Sequence, residues 1–384
     1  MRIALFYHSL VSDWNHGNAH FLRGVVGELK ARGHDVRVYE PANAWSVTNL
    51  VADHGPGGLE PFHRVYRHLA SDAYDADSLD LDAVLADVDL VIVHEWNEPA
   101  LVARIGEHRA ARGRYALLFH DTHHRMVSVP EQMQAYDLSR YDGVLAFGEV
   151  IRRAYLNRGM ARAAWTWHEA ADTRVFYPRQ GRPRAGELVW IGNFGDGERG
   201  DELDEFLIDP ARRLGLQATV YGVRYPPQAL AALARAGIRY AGYLPNPDVP
   251  EAFARHDVTL HIPRRYYARQ LPGIPTIRPF EAMACGIPLI SAVWDDAEQL
   301  FTPGRDYLVA RDGGEMTAHL RRVLQDRHGA RAMADHALRT IRQRHTCAHR
   351  VNGLLEICHE LGMAMPARDR VRRRPLVMGE GHSR

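Results

Sequence analysis

Arg278 and Glu281 stand three positions apart within residues 272–291, which read Pro-Gly-Ile-Pro-Thr-Ile-Arg-Pro-Phe-Glu-Ala-Met-Ala-Cys-Gly-Ile-Pro-Leu-Ile-Ser. A guanidinium grips an anion with two prongs, and a carboxylate accepts both hydrogen bonds of a vicinal diol. The neighbouring residue types say where the pair sits. Three prolines and Gly273 make a loop, residues 280–285 are helix formers, and Gly286 suits a left-handed helix end. Residues 287–290 are an apolar run fit for a buried parallel strand. The pair is therefore expected at a helix start, whose free N–H groups and dipole favour a phosphate. A ribose on Glu281 with its phosphate on the helix tip is the ligand that this arrangement predicts.

The elements that must hold these groups repeat a strand–helix pattern. Residues 2–8 read as a buried strand, 18–32 as a helix with Phe21, Leu22, Val25, Val26 and Leu29 on one face, and 36–39 as the next strand. Further strands are expected at 90–93, 115–119, 143–147 and 163–167, with 41–80 irregular. A polar cluster follows most of them: residues 9–20, then His94 and Glu95, then His120 and Asp121. Strand C-terminal ends are where open α/β sheets bind ligands, so these clusters should converge on one cleft. A Gly-, Pro- and Arg-rich linker at 180–186 precedes a second set of strands at 188–191, 218–221, 238–241, 258–262, 287–290 and 307–310. The fold class expected is α/β, with two Rossmann-like doubly wound domains facing across a cleft. The first covers 1–180 and the second 187–345; a closing helix lies within 346–365, and a tail at 366–384 is expected to be disordered.

The run Arg278-Pro279-Phe280-Glu281-Ala282-Met283-Ala284-Cys285-Gly286 resembles the signature of the GT-B glycosyltransferases. The resemblance is to the family-4-like, group 1 enzymes and is closest to the CgeB-like branch. Residues 168–178 resemble the segment that leads these chains into their second domain, and 349–361 their closing helix. The resemblance implies a nucleoside-diphosphate sugar as donor, retention of anomeric configuration and no metal or other cofactor. It assigns Glu281 to the ribose, and Arg278, Thr276 and Ile277 to the diphosphate. Arg199, after a glycine loop, would grip the diphosphate too; the lysine often found nearby is missing, so Arg278, Arg264 or Arg265 would assist. The base would lie near Tyr243 and Leu244. Many relatives carry a sugar-binding glutamate where this chain has Gly273, so backbone groups of residues 271–274 would replace it. Gly17, Asn18 and His20 occupy the loop that approaches donor and acceptor. His120 would act at the reacting centre, with Asp121 orienting it or taking the acceptor's proton. The acceptor itself, whether saccharide, lipid-linked or small molecule, is not specified.

Composition narrows the rivals. Formal net charge is +1, which disfavours a large nucleic-acid footprint. No apolar run approaches a membrane span, and the chain opens directly on a strand, so a cytoplasmic protein is expected. Cys285, Cys347 and Cys358 are too scattered for a disulfide framework or a metal knuckle. Residues 195–200 fit G-x-G-x-x-G, but Tyr221-Gly222-Val223 stands where a dinucleotide-binding acid belongs. A metal hydrolase built on His120, Asp121, His123 and His124 would need adjacent loop residues to point one way. Phosphorylase chemistry on pyridoxal phosphate needs a lysine in the cleft, and the only lysine is Lys30 on the first helix. A nucleotide-sugar epimerase or a silent sugar-nucleotide binder is the remaining alternative.

Overall fold

A computed structural model describes residues 1–195 and 197–364; Asp196 and the tail expected at 366–384 lie outside the described residues. The first lobe is built on seven strands: β1 (Arg2–Phe6), β2 (Asp35–Pro41), β3 (Asp72–Tyr74), β4 (Leu90–His94), β5 (Ala116–Asp121), β6 (Gly143–Ala146) and β7 (Ala164–Thr166). All pair in parallel, in the order β3-β2-β1-β4-β5-β6-β7. The second lobe carries β8 (Gly186–Ile191), β9 (Ala218–Tyr221), β10 (Arg239–Tyr240), β11 (His256–His261), β12 (Leu289–Ala292) and β13 (Leu308–Ala310). These too are parallel, ordered β10-β9-β8-β11-β12-β13.

A parallel sheet is covered on both faces, which is why its strands read as unbroken apolar runs. Successive side chains point to opposite faces. Leu5, Ile92 and Leu118 accordingly feed one core layer, and Phe6, Val93 and Phe119 the other. Strand order reverses beside β1 in the first sheet and beside β8 in the second, so each sheet opens a crevice there. The lobes face each other across these crevices.

One apolar layer runs continuously through the seam between lobes. It joins Phe21 and Val25 of the helix Ala19–Ala31 to Phe280 and Met283 of the signature helix Ile277–Cys285, and on to Val351 and Leu354 of the closing helix Cys347–Glu360. The closing helix follows the second lobe in sequence but packs on the first. Arg350 donates to the carbonyls of His168 (2.8 Å) and Glu169 (3.1 Å), and Trp167 donates to the carbonyl of Arg350 (2.8 Å).

Two local expectations change. Residues 41–80 are not irregular: they form the helices Trp45–His54 and Glu60–Val65, a short turn of 3-10 helix and strand β3. Strand β5 runs through His120 and Asp121, which pair with Leu145 and Ala146. Those two residues are therefore strand, not loop. No described helix is long and apolar enough to cross a membrane.

The signature helix ends as its sequence suggests. Gly286 adopts φ 68°, ψ 31°, and its N–H closes onto the last turn. A Cβ there would be strained and would stand 3.2 Å from Cγ of Pro178. Gly286→Ala is expected to lower stability by about 1–2 kcal/mol. The urea midpoint reads it, and an unchanged midpoint would contradict the strained-cap account.

Candidate functional site

A cavity of about 830 Å³ lies between the C-terminal edges of the two sheets. The second lobe presents the loops after β8, β9 and β11 and the start of the signature helix; the first presents the segments after β1 to β6.

The second lobe's wall is basic. Arg199, Arg224, Arg264 and Arg278 all line it. Arg199 folds beneath its glycine loop, donating to the carbonyls of Asn193 and Ile262 (3.0 Å) and resting over the Trp190 ring at 5.1 Å. It forms no ion pair among the described residues. Asp201 and Glu202, its possible surface partners, are taken by Arg265 instead. Arg264 lies 3.6 Å from Glu198. Burial, with Arg264 as a like-charged neighbour, lowers the Arg199 pKa to about 10, so it stays a cation at neutral pH. His261 lines the same wall and is held neutral, down to about 3, by burial and then by Arg199 and Arg278. Such a wall attracts a multiply charged anion.

The helix start completes it. Thr276 lines the cavity with φ 61°, a strained value for a β-branched residue. Backbone strain of this kind collects at functional sites. Ile277 and Arg278 follow on the same wall, with the N–H groups of a helical first turn that have no intrahelical acceptor.

Glu281 stands one turn further in and does not line the cavity. It is 0 % exposed, and its carboxylate is fully engaged. Arg278 pairs with one oxygen; the other accepts from the Asn246 amide at 2.7 Å and lies 3.1 Å from Nδ1 of His20 in the first lobe. Nε2 of His20 accepts from the Asp172 N–H at 2.8 Å, so a neutral ring carries its proton on Nδ1, facing the carboxylate. Burial alone would raise the Glu281 pKa, but Arg278, His20 and Asn246 hold it below the usual range. In this closed arrangement both oxygens are occupied, so a ribose must displace one of these partners to reach them.

The remaining expected residues divide. Gly17 and Asn18 line the cavity; a Cβ on Gly17 would stand 3.0 Å from Ile277. His20 is buried at the lobe seam, on Glu281. Tyr243 and Leu244 lie off the cavity: Tyr243 donates across the seam to Asp13, and Leu244 packs on the main core. Gly273, at φ 86°, also lies off it. Glu298 fills the space a side chain would take there, bonded to His168 (2.8 Å) and the Glu149 N–H (2.8 Å).

His120 and Asp121 do not line the cavity either. Being strand residues, they point into the layers on either side of the sheet. His120 packs against Trp167 (4.8 Å), His94 (5.3 Å) and Phe21 (6.1 Å), and burial keeps it neutral, its pKa down at about 3. Asp121 accepts from Tyr155 (2.7 Å) and from the His123 N–H (2.9 Å). Thr122 and His123, one and two residues on, do reach the cavity. Among the described residues no three His, Cys, Asp or Glu side chains group as metal ligands, so the hydrolase cluster does not form.

Several cavity residues carry no mark in the sequence, Glu169 among them. Glu169 is 2 % exposed, lines the cavity, and has one carboxyl oxygen without a hydrogen-bond partner. Burial, then the nearby Glu281 charge, pushes its pKa up to about 8. A lone glutamate in a segment of ordinary composition gives no signal; the burial that makes it unusual is tertiary.

Residues 199–356 match the family model described as glycosyl transferase-like. The whole fold is that of the GT-B glycosyltransferases. Sucrose-phosphate synthase from Thermosynechococcus elongatus superposes with a TM-score of 0.66 at 17% identity, covering 95% of this chain and 100% of that one. HepE from Anabaena, solved with UDP-glucose, gives 0.65 at 16% identity over 94% and 100%. The BGT of phage T4, solved with its substrate UDP-glucose, gives 0.58 at 14% identity over 95% and 100%. Among curated proteins no sequence matches.

A carboxyl whose folded pKa is raised binds more protons folded than unfolded, so it costs stability as pH rises. For Glu169 the window runs from about 4.5 to about 8. Glu169→Gln is expected to gain stability relative to the parent between pH 5 and pH 8, read from denaturant midpoints at both. A difference independent of pH would contradict the assignment.

Proposed function

We propose that this protein is a glycosyltransferase that moves a sugar from a nucleoside-diphosphate sugar to an acceptor hydroxyl. The observation that carries the proposal is the Arg199 guanidinium. It faces the interlobe cavity with no ion-pair partner among the described residues, beside a strained helix start. A half-buried cation in that state suits an anionic ligand. The diphosphate would lie between Arg199, Arg264 and the first turn at Thr276, Ile277 and Arg278, with the nucleoside directed toward the seam around Glu281.

Transfer makes one bond and breaks one. The acceptor oxygen bonds to the anomeric carbon while the bond from that carbon to the diphosphate oxygen breaks, its electron pair leaving on the diphosphate. The acceptor's proton passes to a phosphate oxygen or to a cavity base. Charge therefore develops where the arginines stand, and preorganised cations there stabilise the transition state more than the ground state. With that charge met by guanidinium groups, the proposal includes turnover without a divalent cation. It also includes the retaining outcome that the signature implies, which the anomeric configuration of the product tests. The first lobe would seat the acceptor; His123 and Glu169 reach the cavity from that side, whereas His120 and Asp121 would act through the residues they support.

Neighbours of this fold carry UDP or UDP-glucose, which makes UDP the first nucleotide to test. UDP is expected to raise the melting temperature of the parent, and Arg199→Ala to weaken UDP binding by roughly 30–100-fold, the worth of about 2–3 kcal/mol of charge-assisted hydrogen bonds. Circular dichroism of the variant checks its fold. Equal affinity for parent and variant, by calorimetry, would overturn the diphosphate assignment. Activity lost in a chelator and restored by a divalent cation would overturn the metal-free part alone.

A further inference from the structure

The cavity is divided by charge. Every arginine lining it comes from the second lobe, and among the described residues that lobe contributes no carboxylate to the lining. The first lobe does the reverse: it contributes the carboxylates Asp75, Asp77 and Glu98, and no arginine or lysine, while Glu169 of the exit segment keeps its proton. Asp77 and Glu98 are exposed and form no ion pair among the described residues. Asp75 organises its own loop by accepting from the N–H groups of Asp77 (3.0 Å) and Ser78 (3.2 Å).

Two further features share the acidic side. Trp45 and Trp96 line the cavity while 45% and 40% exposed, unusual for indoles in a protein with a well-filled core. Arg125, paired with Glu95, covers one face of Trp96 at 4.4 Å; the remaining aromatic surface beside carboxylates suits the C–H faces of a sugar-like ring, and the carboxylates an ammonium group. The second feature is a pair of buried imidazoles. His8 (7% exposed) and His16 (8% exposed) line the cavity with ring centroids 4.2 Å apart. Neither nitrogen of His16, nor Nδ1 of His8, has a hydrogen-bond partner among the described residues. Burial holds both rings neutral. A neutral imidazole has one donor and one acceptor, and a hydroxyl group answers either.

From this juxtaposition we infer that the acceptor is a hydroxyl-rich, amine-bearing small molecule, of the amino-sugar or aminocyclitol class. Its ring would lie against Trp45 and Trp96, its hydroxyls on His8 and His16, and its ammonium groups toward Asp77 and Glu98. The inference rests on the transferase reading for the word acceptor, but the binding it describes is independent of the donor. An acceptor carrying phosphate or carboxylate would meet like charge on this side.

Calorimetry on the full chain tests it, with and without UDP, using 2-deoxystreptamine, its neutral di-N-acetyl derivative and glucose 6-phosphate. The diamine is expected to bind at least about tenfold tighter than either of the others, and to weaken about tenfold in an Asp77→Asn, Glu98→Gln double variant. Both changes are on exposed residues, so the fold should survive. No binding of the diamine, equal binding of all three probes, or an unchanged affinity in the double variant overturns the inference. Failure of UDP to bind strikes the transferase reading and leaves the amine result to stand or fall by itself.

Discussion

A carboxylate sealed from water stays charged only if its partners replace the hydration it has lost. Glu281 meets that condition with groups from both lobes. Arg278 and Asn246 come from the second lobe and His20 from the first, its ring oriented by the Asp172 N–H. The arrangement does two things at once. It fixes the guanidinium of Arg278 at the cavity wall, and it ties the helix Ala19–Ala31 to the signature helix. Around it lie further polar links of the same kind. Asp13 accepts from Tyr243 and, at 3.2 Å, from the Asn246 N–H; on the surface Arg64 pairs with Asp248 at 2.6 Å. The continuous apolar layer supplies the rest of the adhesion. The lobes are thus held together, and any opening must first break the buried contact between His20 and the Glu281 carboxylate.

Charge is sorted within the cleft that this closure encloses. Cations gather where a departing diphosphate would need them, and carboxylates gather opposite. The sorting follows from chain topology. The loops after β8 and β11 and the signature helix all belong to one sheet, so residues far apart in sequence share one wall. Glu169 sits where the chain passes between lobes, close enough to feel Glu281 and dry enough to keep its proton.

The two sheets are legible in the sequence because parallel strands must be apolar on both faces, and the runs at 90–93 and 115–119 carry that mark plainly. The signature helix was legible from its residue types and from Gly286. What sequence pattern could not place was the exact reach of a strand. Two extra residues in β5 turn His120 and Asp121 from loop residues into side chains buried in opposite layers, and hand the cavity to Thr122 and His123. The helices Trp45–His54 and Glu60–Val65 leave little mark in the sequence because each is short, buries only one or two side chains, and is separated from the other by Gly-Pro-Gly-Gly. Tyr243 and Glu281 show a different limit. Both lie at the seam, and their partners come from the other lobe, which no local pattern reports.

The most direct measurement is a crystal structure of the protein soaked with a UDP-sugar. The account predicts diphosphate oxygens within hydrogen-bond distance of the Arg199 guanidinium and of the N–H groups that open the signature helix, with the sugar turned toward the first lobe. A nucleotide bound elsewhere, or a diphosphate that leaves Arg199 untouched inside the same cleft, would contradict it.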